Sequence, residues 1–90
     1  MLNIKVLGIG GTKYFDLVKN LNRAIQKLDF EVQIEFLKEV EDFIKYEILE
    51  IPALVIDEIV IAKGIHLDEE EIKHYLIEMY ENALQETEQM

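Results

Sequence analysis

Two stretches of this 90-residue chain hold residue types at spacings that chemistry uses. The first is Gly8-Ile9-Gly10-Gly11-Thr12-Lys13, which leads into an amphipathic segment. A glycine-rich turn entering a helix leaves backbone N–H groups unpaired. They point, with the helix dipole, at a spot where an anion can sit. Thr12 and Lys13 can assist. The spacing matches neither the P-loop, which needs Gly-Lys-Ser/Thr after four spacers, nor the dinucleotide fingerprint, whose third glycine is absent. The same glycines also serve a turn that needs only conformational freedom. The second stretch is Glu70, His74 and Glu78, four apart, so that one helix face carries all three. Carboxylate, imidazole and carboxylate form a ligand set for a divalent metal. One helix converges poorly on an ion, and the three lie off the apolar stripe, so weak pairing on a solvated face is the expectation and no metal is assigned. His66 stands alone. The chain has no cysteine and no serine, and Thr12 and Thr87 are its only threonines. No nucleophilic triad can be assembled, and the many carboxylates read as surface charge.

Composition narrows the function classes further. Nineteen acidic residues against nine basic ones give a net charge of −10. A nucleic-acid binder needs a basic footprint to displace counterions from phosphates, and none is present. Anionic membranes are disfavoured for the same reason, and no apolar run approaches the ~20 residues of a spanning helix. A basic protein partner fits the charge, as does simple solubility. The N-terminus, Met1-Leu2-Asn3-Ile4-Lys5, lacks the pattern of a signal peptide, so the cytoplasm is the expected compartment. No cofactor is expected.

The elements that must position these residues are legible in the periodicities. Residues 2–7 are apolar at nearly every position and read as a central strand, and residues 12–28 as a helix. Tyr14, Leu17, Val18, Leu21, Ala24, Ile25 and Leu28 form that helix's stripe. Residues 31–36 alternate, as in an edge strand with one solvated face. Residues 39–48 read as a short helix with Val40, Phe43, Ile44 and Ile48 on its apolar side. Pro52 excludes a strand interior at its own position, and Ala53–Ile56 then reads as a buried strand. Ile59–Ala62 follows as the second arm of a hairpin. Asp57-Glu58 is a poor two-residue turn, which implies a wider loop. Asp68 with Glu71 forms a capping box, and Leu67 with Ile72 a hydrophobic staple. Ile72, Tyr75, Leu76, Met79, Tyr80 and Ala83 form the last stripe, and residues 85–90 read as a frayed tail. The order is βαβαββα over a single domain, residues 1–90. A βαβ start followed by a hairpin predicts an α/β fold, with a four-stranded mixed sheet in order 2-1-3-4 and helices on both faces.

This order resembles the thioredoxin fold. Val6-Leu7-Gly8-Ile9-Gly10 and Ile51-Pro52-Ala53-Leu54-Val55-Ile56 resemble the small thioredoxin-like "redox-active disulfide" proteins of bacteria and archaea. The likeness covers about residues 2 to 84. In that family Cys-x-x-Cys opens the first helix. Here Gly11 and Tyr14 hold the cysteine positions, so the chain is similar to a member lacking both active-site cysteines, and the family's redox chemistry does not carry over. The resemblance implies a cis peptide bond before Pro52, with the Ile51 backbone offered to extended peptides. It also implies a turn geometry into which paired cysteines at Gly11 and Tyr14 would place a disulfide.

The resulting expectation is a non-catalytic module that binds a peptide or protein, as a monomer or homodimer. Its binding surface would be Gly10, Gly11, Thr12, Lys13, Tyr14 and Phe15 together with Ile51 and Pro52, forming one groove. Tyr14 and Phe15 read as a contact platform or as core filling and flank packing. The alternative is a small-ligand enzyme that holds glutathione or another anion at the helix start, Gly10–Lys13. A third is a fold kept for self-association.

Overall fold

The computed structural model describes residues 1–88. Strand β1 (Leu2–Leu7) leads into helix α1 (Thr12–Gln26), strand β2 (Val32–Leu37) and helix α2 (Val40–Lys45). Strands β3 (Ala53–Ile56) and β4 (Ile59–Lys63) and helix α3 (Glu69–Glu88) complete the order. The sheet runs β2-β1-β3-β4. β1 and β2 are parallel in an unbroken register from Leu2↔Val32 to Leu7↔Leu37, while β3 is antiparallel to both β1 and β4. The expected topology is therefore the observed one.

The strand period of two divides the apolar residues between two cores. Leu2, Ile4 and Val6 of β1 join Leu54 and Ile56 of β3 on one face, where Leu17, Leu21 and Ala24 of α1 and Ile72 and Leu76 of α3 cover them. Burial of each such leucine or isoleucine contributes about 1.5–3 kcal/mol. The opposite face is thinner. Leu7, Ala53, Val55 and Ile48 form its buried centre, flanked by Phe43, Tyr46 and Ile51.

α2 departs from the expected stripe. It is only six residues long, and Val40 and Ile44 are exposed. Phe43 and the following Tyr46 and Ile48 turn inward instead. In a helix shorter than two turns, the larger rings take the one available inward side. α3 begins as the capping box requires. The Glu71 N–H donates to Asp68 Oδ1 at 2.8 Å, and the Asp68 N–H donates to Glu71 Oε1 at 3.2 Å. Leu67 and Ile72 are both buried beside it. Tyr75, expected in the stripe, is exposed, and residues 85–88, expected to fray, continue the helix. Residues 89 and 90 of that expected tail lie outside the described residues.

The β3–β4 loop corrects another expectation. It is a two-residue turn, with φ of 47° at Asp57 and 68° at Glu58. Positive φ at both central residues is the type I′ signature, which ordinarily calls for glycine. Distant parts of the chain hold these two residues in place. Asp57 Oδ1 accepts the Asn3 N–H at 2.8 Å, and the Asp57 N–H donates to the Asn3 carbonyl at 2.8 Å. The Glu58 carboxylate pairs with Lys5 and accepts the Tyr46 hydroxyl at 2.6 Å. Lys5 Nζ donates to Tyr46 Oη at 2.7 Å, closing the triangle. These bonds offset a backbone cost on the order of 1 kcal/mol per residue.

Candidate functional site

The end of the sheet away from that hairpin turn carries the glycine-rich segment. Gly8 is buried at its centre, and its N–H donates to the Leu37 carbonyl at 3.1 Å. A Cβ at Gly8 would stand 2.5 Å from Tyr14 Cδ2, 3.0 Å from Tyr14 Cε2 and 3.6 Å from Pro52 Cβ. Tyr14 and Pro52 thus both approach the turn where that Cβ would stand. Only glycine permits that approach. The Ile51–Pro52 peptide bond is cis.

Gly10 and Gly11 have φ of 106° and 92°. Gly11 caps α1, its carbonyl accepting the Phe15 N–H at 3.0 Å. L-residues rarely adopt such φ values. A cysteine at Gly11 would meet no neighbouring atom but would be strained. A disulfide between positions 11 and 14 would have to form against that strain.

The expected single groove is two hollows, separated by the Gly8–Gly10 ridge. The smaller, of about 290 Å³, lies between Gly11, Thr12 and Lys13 on one side and Ile51 and Pro52 on the other. Pro52 is buried and Ile51 half-buried, and among the described residues nothing hydrogen-bonds the Ile51 backbone. The larger hollow, of about 530 Å³, has Tyr14, Phe15 and Phe36 as its aromatic lining, with Ile9 and the segment Leu37–Glu39 around them. Tyr14 and Phe15 meet edge to face, their centroids 5.3 Å apart. Ile9, Phe15 and Phe36 are 72 %, 63 % and 52 % exposed. Gly10 borders both hollows. Phe15 and the Ile51–Pro52 pair therefore face different spaces.

Ile9 and Phe36 escaped the sequence reading. Phe36 follows the apolar parity of β2 and so read as inward-facing. It lies at the open end of an edge strand, opposite Val6. Ile9 carried a usable signal, since an isolated large apolar side chain among glycines has little core to enter.

The displaced pKa values belong to groups at the other end of the sheet. Hydrogen bonds to Glu58 and Tyr46 push Lys5 well above the usual lysine range. The same contacts, with Lys5 first, hold Glu58 below the usual carboxylate range. Glu69 raises Lys27, at the far end of α1. His74 Nε2 lies 3.3 Å from Glu78 Oε2 on an exposed face. Among the described residues no group of three His, Cys, Asp or Glu is placed to hold a metal. No described helix is long and apolar enough to cross a membrane.

Sheet order, the glycine turn at the head of α1 and the proline before β3 agree with the comparison by family. A family model described as "Thioredoxin domain" matches residues 2–77. The chain belongs to the thioredoxin-domain family. Among curated proteins, none matches it. As a thioredoxin domain it retains the scaffold without a single cysteine. Dithiol–disulfide exchange needs one thiolate to attack and a second thiol to resolve the mixed disulfide. This thioredoxin domain has neither.

Proposed function

We propose that the chain is a redox-inactive thioredoxin domain that binds a peptide or protein through the hollow of Ile9, Tyr14, Phe15 and Phe36. One observation carries this reading: three large apolar side chains stand more than half exposed around one hollow. Contiguous exposed apolar surface is characteristic of interaction sites, and aromatic side chains dominate the energetics of such sites. Tyr14 fills the space beside Gly8 and gives the hollow a rigid floor. Across the ridge, the free backbone of Ile51 is suited to pairing with an extended chain.

The test is selection from a displayed random-peptide library, with the selected peptides titrated into native, Phe15→Ala and Phe36→Ala proteins. Each variant should weaken binding at least tenfold, about 1.4 kcal/mol. The melting temperature of Phe15→Ala should stay within 2–4 °C of native, a shift of about 0.5 kcal/mol. Peptides that bind both variants as tightly as native protein would refute the reading.

A second reading draws on the start of α1. Its first turn carries Lys13 and no carboxylate, which suits an anion or glutathione in the smaller hollow. Titration with glutathione and with phosphate separates the two. The second reading requires amide shifts at Gly10–Lys13, and none confined to Phe15 and Phe36.

A further inference from the structure

The two edges of the sheet are protected differently. β4 is interrupted: Val55 pairs with Val60 and Leu54 with Ala62, so Ile61 is an extra residue in the ladder. Such a bulge blunts an edge against pairing with another chain. β2 has no bulge and no proline, and its ladder with β1 is regular over six residues. Its apolar residues also remain open on the α1 side. Val32 and Ile34 are half-buried and Phe36 is exposed, whereas their counterparts Leu2, Ile4 and Val6 on β1 are buried.

We propose that the chain forms a homodimer by antiparallel pairing of two β2 edges, with Ile34 opposite Ile34 of the second copy. Symmetry and charge select this register. A two-fold axis through an antiparallel pair places one residue opposite itself, so the sum of paired residue numbers is fixed and even. Centring on Gln33 sets Glu31 against Glu35 of the second copy, and centring on Glu35 sets the two Glu35 side chains against each other. Like charges directly opposite are destabilising. Centring on Val32 or Phe36 leaves half or more of the strand Val32–Leu37 unpaired, and centring on Ile34 avoids all of these faults. Glu35 then faces Gln33, and on the other side of the sheet Phe36 faces Val32. The half-open strip of Val32, Ile34 and Phe36 is covered along its length by its own counterpart. At each end, Val32 of the second copy walls the open flank of the aromatic hollow beside Phe36. Two subunits each of charge −10 repel at long range, so the dimer tightens as added salt screens them.

The pairing does not depend on what the hollow binds, and it is tested on the protein without any ligand. Sedimentation equilibrium of the native chain should show a monomer–dimer equilibrium that shifts toward dimer between about 0.05 and 0.5 M salt. Gln33 is exposed and pairs within the subunit only with Asn3, so charge can be changed there without disturbing the fold. Gln33→Lys should tighten the dimer about fivefold and Gln33→Glu loosen it about fivefold, since symmetry repeats each change twice against Glu35. Val60→Lys on β4 should leave it unaltered. The absence of cysteine allows a single introduced thiol to report the register. Under mild oxidation Ile34→Cys should link two copies faster than Gln33→Cys or Glu35→Cys. A native chain that stays monomeric to about 1 mM at either salt would overturn the proposal. So would dissociation by Val60→Lys, a shift in the same direction by both Gln33 variants, or faster linking at position 33 or 35.

Discussion

Two turns of this molecule solve the same backbone problem in opposite ways. Gly10-Gly11 and Asp57-Glu58 each place two consecutive residues at positive φ. The first turn does so with residues that carry no penalty and leaves open space around them. The second does so with residues that resist, and Asn3, Lys5 and Tyr46 hold them in place. The hairpin turn is thereby tied into the structure, its polar groups occupied by one another. The glycine turn is determined locally, and the exposed apolar side chains gather around it. A turn secured by its own composition leaves the side chains around it free of such ties.

Four measurements bear on this contrast, in falling order of expected effect. Gly8→Ala forces a Cβ into the Tyr14 ring and should cost about 2 kcal/mol by overpacking. A loss below about 0.5 kcal/mol in denaturant unfolding would mean that Tyr14 swings clear and is not the floor of the hollow. Gly11→Ala meets no atom, so only the positive φ opposes it, at about 1 kcal/mol. An unchanged midpoint would show that the turn relaxes to negative φ and that the glycine is dispensable.

Tyr46→Phe removes the hydroxyl shared by Lys5 and Glu58 and should cost just under 1 kcal/mol, one net hydrogen bond. Amide exchange at Asp57 and Glu58 should quicken with it. Exchange that stays as slow as in native protein would show that the hairpin turn stands unaided, which removes the contrast. The smallest effect is a pH dependence. The Glu58 pKa is depressed in the folded state, chiefly by Lys5 and then by Tyr46. Its stabilisation is therefore complete above the unfolded carboxylate value of 4.5 and is lost as pH falls through the lower folded value. Glu58→Gln should flatten stability over that acid range, measured by thermal melts across pH. A profile parallel to native would sink the assignment. Lys5 has the opposite sign: its pKa is raised, so its contribution persists through the ordinary lysine range and is lost only above it.

Much of the fold was legible because it rests on local periodicity and on strong punctuating residues. The apolar run of β1, the alternation of β2, Pro52 and the Asp68–Glu71 box each specify their element without distant help. Together they led to the observed sheet order. The site was legible only in its centre. The segment Gly10–Phe15 was identifiable from glycine spacing and from its place before α1. Phe36 was not, because strand parity states which side a residue faces and not whether a helix covers that side. Val40 and Ile44 misled for a related reason: apolar spacing at i, i+4 predicts a common face, but not that Phe43 and Tyr46 win the inward one.

The chain's own sequence determined that no thiol chemistry is possible, that the sheet runs 2-1-3-4, and that a glycine-rich turn precedes α1. These depend on residue identity, on alternation and on backbone freedom, all local properties. Tertiary structure alone decided that the expected groove is two hollows, because the Gly8–Gly10 segment stands between them and lines both. It alone decided that Asp57-Glu58 turns in two residues, because the bonds that hold it come from Asn3, Lys5 and Tyr46. Their side chains and backbone reach the turn only once β1 lies beside β3 and Tyr46 packs on the face of Leu7 and Val55, and no local pattern encodes that convergence.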